Sequence, residues 1–94
     1  MYNENVRKAG SFDGQYYKTT DLPLGAFLLY HQVKLDLIEE EQTHSGRKIM
    51  WFEESHKYEI EAIVETYLSG KAIVEPRRYA NEIRNLKSRI SGRI

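Results

Sequence analysis

Nine consecutive residues, Leu22–Tyr30 (LPLGAFLLY), carry no charge and are apolar nearly all round. A helix through this stretch must be buried on more than one side. Asp21 stands just before it, able to accept a hydrogen bond from a free first-turn amide, and Pro23 sits where a missing N–H removes no intrahelical bond. The spacing therefore predicts a central core helix opening at Asp21–Leu22 and ending near His31–Gln32. With 94 residues and 40% hydrophobic content the chain can build one core around that helix, not two.

The remaining elements must supply the cover. Tyr16-Tyr17-Lys18-Thr19 is aromatic and β-branched, as a short strand requires. Val33, Leu35 and Leu37 alternate with Lys34 and Asp36, the period-2 mark of a half-buried strand, and Ile38 breaks the alternation. Lys48–Glu53 is a second dense apolar run, and the turn residues Gln42–Gly46 between the two runs predict an antiparallel hairpin. Ser55 caps a predicted helix whose Ile60, Ile63, Val64 and Tyr67 share a face and which Gly70 ends. Glu75 and Pro76 open a last helix in which Tyr79, Ile83, Leu86 and Ile90 form a narrow seam. Residues 1–15 show no usable periodicity and are expected to form a flexible arm, with a single α+β domain over residues 16–94. The expected order is β-α-β-β-α-α, a three-stranded sheet with helices packed on one face.

The 14 basic and 14 acidic residues cancel overall but not locally. Residues 1–70 hold 7 basic and 12 acidic side chains, a balance of −5, whereas residues 71–94 hold 7 and 2, a balance of +5. A basic end of this kind suits phosphate backbones or an acidic protein, and equally a solvated helix face. The absence of cysteine excludes disulfides, thiolate zinc sites and a cysteine nucleophile. No apolar run approaches the roughly 18–20 residues of a bilayer span. The polar start MYNEN lacks the apolar stretch of a signal peptide, so the cytoplasm is the expected location, with no membrane partner. So small a domain buries a modest fraction of its surface, which leaves self-association open.

Little in the sequence points to chemistry. His44-Ser45-Gly46 lies in the expected hairpin turn, where turn formation accounts for all three residues. His31, His44 and His56 are scattered, so no metal site and no cofactor are expected. Glu39, Glu40 and Glu41, with Glu53 and Glu54 across the hairpin, are expected to gather at one end of the strands. There they form either an acidic, aggregation-resistant edge or an oxygen-donor cation site. The aromatics Tyr16, Tyr17, Trp51 and Phe52 lie on strands, so half of them point outward if helices cover one face only. An outward set could stack bases, although core packing is the commoner use.

The last helix is the best candidate surface. At about 100° per residue its seam covers roughly a 60° arc. Arg77, Asn81, Arg84 and Ser88 fall opposite the seam, Lys87 lies to one side, and Arg78 and Arg89 lie to the other. The expectation is a non-enzymatic nucleic-acid-associated protein, binding DNA or RNA backbone through Arg77, Arg78, Arg84, Lys87, Arg89 and Arg93. The alternative is a protein-interaction module, either a homodimer or an adaptor docking on a larger protein, that uses the Tyr79/Ile83/Leu86/Ile90 seam. A hydrolase or nuclease is the third and weakest reading.

Three blocks carry a resemblance: Tyr17-Lys18-Thr19-Thr20-Asp21-Leu22-Pro23-Leu24-Gly25-Ala26-Phe27-Leu28 with Val33-Lys34-Leu35, the strand ending Trp51-Phe52-Glu53, and Tyr79–Ser88. Together they resemble a family of small uncharacterised bacterial and phage domains, and the likeness covers most of the chain after the arm. It implies a bacterial or mobile-element setting and a lean toward nucleic-acid-associated work, and it supplies no catalytic residues.

Overall fold

A computed structural model describes residues 9–40, 47–54 and 57–91. Their order is β1 (Gly10–Asp13), β2 (Tyr16–Thr19), α1 (Leu22–Tyr30), β3 (Leu35–Glu40), β4 (Lys48–Glu53), α2 (Lys57–Leu68) and α3 (Pro76–Ile90). One antiparallel sheet runs β1-β2-β4-β3. The fold is α+β, with one strand more than expected.

That fourth strand corrects the flexible-arm expectation at residues 10–13. Gly10–Asp13 pairs with Tyr16–Thr19, and Phe12 sets its ring edge against Tyr17 at 5.0 Å. The Thr19 hydroxyl donates to the Ala9 carbonyl and accepts from the Asp21 amide, tying the strand to the entry of α1. A lone Phe12 among polar neighbours gives no alternation to read, so the strand forms because the chain beside it supplies a partner edge.

α1 forms as the capping pattern requires. The Asp21 carboxylate accepts from the Leu24 amide at 3.0 Å, and Leu24, Ala26, Phe27 and Leu28 are buried. Gly25 makes this possible: a Cβ there would meet Met50 Sδ at 2.7 Å and Leu86 Cδ2 at 3.1 Å, so the missing side chain lets α1 lie between β4 and α3. Ile60 and Val64 of α2 complete the cover, and Gly70 follows its end at φ 77°. The Ser55 cap lies outside the described residues, as do Glu41 and the His44-Ser45-Gly46 turn.

The sheet has two unlike faces. Tyr17, Thr19, Leu35, Met50 and Phe52 are buried against the helices, while no strand residue of the opposite face is buried. A bulge in β3 sets this division: Leu35 pairs with Phe52, Leu37 with Trp51 and Ile38 with Met50. The extra residue, Asp36, turns Leu37 outward and Ile38 inward, which is why Ile38 interrupts the period-2 pattern. No helix among the described residues is long and apolar enough to cross a membrane.

Candidate functional site

α3 begins where Glu75, with an extended backbone, accepts a hydrogen bond from the Arg78 amide at 2.7 Å and Pro76 fixes the first turn. Its seam faces α1. Leu86 is completely buried, and Tyr79, Ile83 and Ile90 are half-buried against the same core. The Tyr79 hydroxyl donates to the Pro23 carbonyl at 2.9 Å, and the Glu75 amide donates to the Tyr30 hydroxyl at 2.8 Å. The seam expected as an interface thus packs in part against the chain's own α1, which buries Leu86 and leaves Tyr79, Ile83 and Ile90 half-exposed.

The charge is spread round the rest of α3, with Arg77 and Arg84 opposite the seam, Lys87 on one flank and Arg78 and Arg89 on the other. Arg77, Arg84, Lys87 and Arg89 are exposed, and Arg84 donates to the Asn81 side-chain oxygen. Arg78 is exposed too, but its guanidinium sits 4.4 Å above the Tyr30 ring, a cation–π contact that commits it to the α1–α3 junction. Arg93 lies outside the described residues. Tyr30 is a part of this surface that the sequence reading passed over; its place at the last position of an apolar helix was the available signal.

Among the described residues no ion pair neutralises these cations. Among the described residues the ion pairs are Lys18–Asp13, Lys34–Glu53 and Lys48–Glu40, at 3.5–3.6 Å, and all three belong to the sheet and its flanks. Lys87 and Arg89 stand in the last turn of α3, where the helix dipole favours cations. Arg77 stands in the first turn, where the same dipole disfavours one, so helix stability does not account for it.

The acidic cluster is corrected by the register. Glu40 pairs with Lys48 and Glu39 with Ile49 near the turn end of the hairpin, while Glu53 lies at the other end, opposite Tyr16 and beside Lys34. Antiparallel pairing necessarily separates the C-terminal ends of the two strands. Among the described residues no three His, Asp or Glu come close enough to hold a metal ion.

The outer sheet face carries the aromatics expected to point out. Trp51 donates from Nε1 to Glu39 at 2.9 Å, Tyr16 meets the Trp51 ring edge-on at 5.7 Å, and the Lys18 ammonium lies 5.1 Å from the ring centroid. These contacts occupy the indole, and the face around it mixes Lys18, Asp13, Glu39 and Glu53. Tyr17 and Phe52 go into the core.

Three phenols crowd the N-terminus of α1. Burial, then the Asp21 carboxylate, pushes Tyr17 and Tyr79 upward, and the same causes push Tyr67 up to about 12, helped by its hydrogen bond to Asp21. Burial and the neighbouring carboxylate thus favour the neutral form of all three phenols. A cleft of about 360 Å³ between the end of α1, β3 and α2 is lined by His31, Lys34, Glu53 and Glu59, with Lys34 and Glu53 already paired.

No curated protein and no solved structure matches the chain. The model of one family, described as Domain of unknown function (DUF5659), matches residues 14–92, from the turn after β1 to just beyond α3, and the chain belongs to that family.

Proposed function

We propose that the protein is a non-enzymatic nucleic-acid-associated accessory protein of the cytoplasm that binds phosphate backbone through the exposed cations spread around α3. The observation that carries this reading is the set Arg77, Arg84, Lys87 and Arg89, all exposed and none in an ion pair among the described residues. Phosphate oxygens are suitable partners for such cations, since guanidinium groups pair with them in a bidentate manner and the contact carries no base information. Arg78 contributes less, because binding would pull it from Tyr30. The alternative, a protein-interaction module using the Tyr79/Ile83/Leu86/Ile90 seam, would have the half-exposed parts of Tyr79, Ile83 and Ile90 to work with, Leu86 being packed against α1.

The experiment is a gel-retardation series with single- and double-stranded DNA and RNA. The triple variant Arg77→Glu/Arg84→Glu/Lys87→Glu is expected to abolish retardation while its circular dichroism spectrum stays that of the parent. Retardation that survives the triple variant overturns the assignment.

A further inference from the structure

Among the described residues nothing covers the outer sheet face. Tyr16, Ile49 and Trp51 are half-exposed there, and Leu37 keeps 45% of its surface open. We propose that this face packs against the same face of a second copy, about a twofold axis running along the strands between β2 and β4. Stacked sheets keep their strands within about 30° of one another, which this axis allows.

The register supplies the complementarity. Rotation about that axis exchanges β2 with β4 and β1 with β3, so each residue meets the second copy's version of its own cross-strand neighbour. Lys18 pairs with Trp51 in the ladder, so the ammonium of one copy faces Trp51 of the other and shares the indole it already covers. Asp13, Tyr16 and Glu53 lie at one level, and the Glu53 amide donates to the Lys34 carbonyl. Asp13 on one outer strand, paired with Lys18 in its own chain, therefore faces the Lys34–Glu53 pair of the second copy, so that two ion pairs of opposite order meet. Leu37 lies level with Trp51, Lys18 and Ser11. It thus meets the second copy at a hollow of about 220 Å³ lined by Ser11, Lys18, Thr20 and Ile49.

A projecting leucine opposite a hollow, with Asp13 opposite Lys34, is the reciprocal pattern of an isologous interface, in which each contact occurs twice. The mixed-sign rim favours a copy of itself over a polyanion. This inference stands apart from the α3 reading and shares no residue with it.

Sedimentation of the full chain over a concentration series tests the proposal. The emission of Trp51, the chain's single tryptophan, gives a second readout. The parent is expected to sediment as a dimer whose emission shifts to the red on dilution. Leu37→Glu, at an exposed position, is expected to give a monomer with the parent's circular dichroism. Asp13→Lys is expected to weaken the dimer, and adding Lys34→Asp to restore it. A monomer at every concentration, a dimer indifferent to Leu37→Glu, or a charge swap without rescue overturns the proposal.

Discussion

Gln32 is the only residue other than glycine, among those described, with positive φ, at 65°. It follows the end of α1, where its amide donates to the Leu29 carbonyl at 2.8 Å and the Val33 amide donates to Leu28 at 3.0 Å. This paired closure satisfies the last helical carbonyls and ordinarily employs glycine, because a Cβ is crowded in the left-handed region. Gln32→Gly removes that crowding at the cost of a more flexible unfolded chain. A net gain of about 0.5–1 kcal/mol is expected, roughly 2–8 °C in melting temperature, read by calorimetry. The tyrosines near Asp21 give a second residue-scale prediction. Their neutral forms are favoured in the fold, so their contribution is whole below the ordinary phenol value of 10.0 and falls as pH climbs through the folded values, up to about 12 for Tyr67. The urea midpoint should therefore drop progressively above pH 10, and Tyr67→Phe should make that drop shallower.

β1 and α3 show how an element's role is set by what it meets. β1 is held by its pairing to β2 and by Phe12 on Tyr17, and Gly10 permits the approach. A Cβ at Gly10 would collide with the Lys18 carbonyl oxygen and lie 2.6 Å from the Tyr17 hydroxyl. A backbone oxygen inside a ladder cannot give way, so Gly10→Ala is expected to detach β1 at a cost of about 1–3 kcal/mol. Hydrogen exchange should show faster exchange at β1 and β2 amides while α1 stays protected; unchanged exchange would refute this account of the strand. For α3, the proposed phosphate contacts carry a salt signature. If Arg77, Arg84, Lys87 and Arg89 each neutralise one phosphate of duplex DNA, log K should fall against log salt with a slope of roughly −3 to −4. The Arg84→Glu variant should flatten that slope by about one, whatever the base sequence.

Over the whole molecule, the surface of α3 and the outer sheet face differ in chemistry. The α3 cations carry no ion pair among the described residues and are the surface proposed for phosphate; the outer sheet face is aromatic with a mixed-sign rim and is the one proposed for a second copy. The elements that local chemistry dictates were legible in the sequence. Asp21 and Pro23 start α1 wherever the chain goes, because caps act on their own helix. Alternation and turn residues pair β3 with β4, and seven basic residues against two acidic make the last segment a cation source. What required the third dimension depends on partners distant in sequence. β1 exists because β2 offers an edge, and the Asp36 bulge, visible only once β4 fixes the register, sends Leu37 to the outside. The expected gathering of Glu39 and Glu40 with Glu53 dissolves for a related reason, since antiparallel ladders carry strand ends to opposite poles. The seam of Tyr79, Ile83, Leu86 and Ile90 was correctly apolar in the sequence, but an apolar stripe does not state who covers it. Gly25, by letting α1 lie against Leu86, decided that the cover of Leu86 is internal.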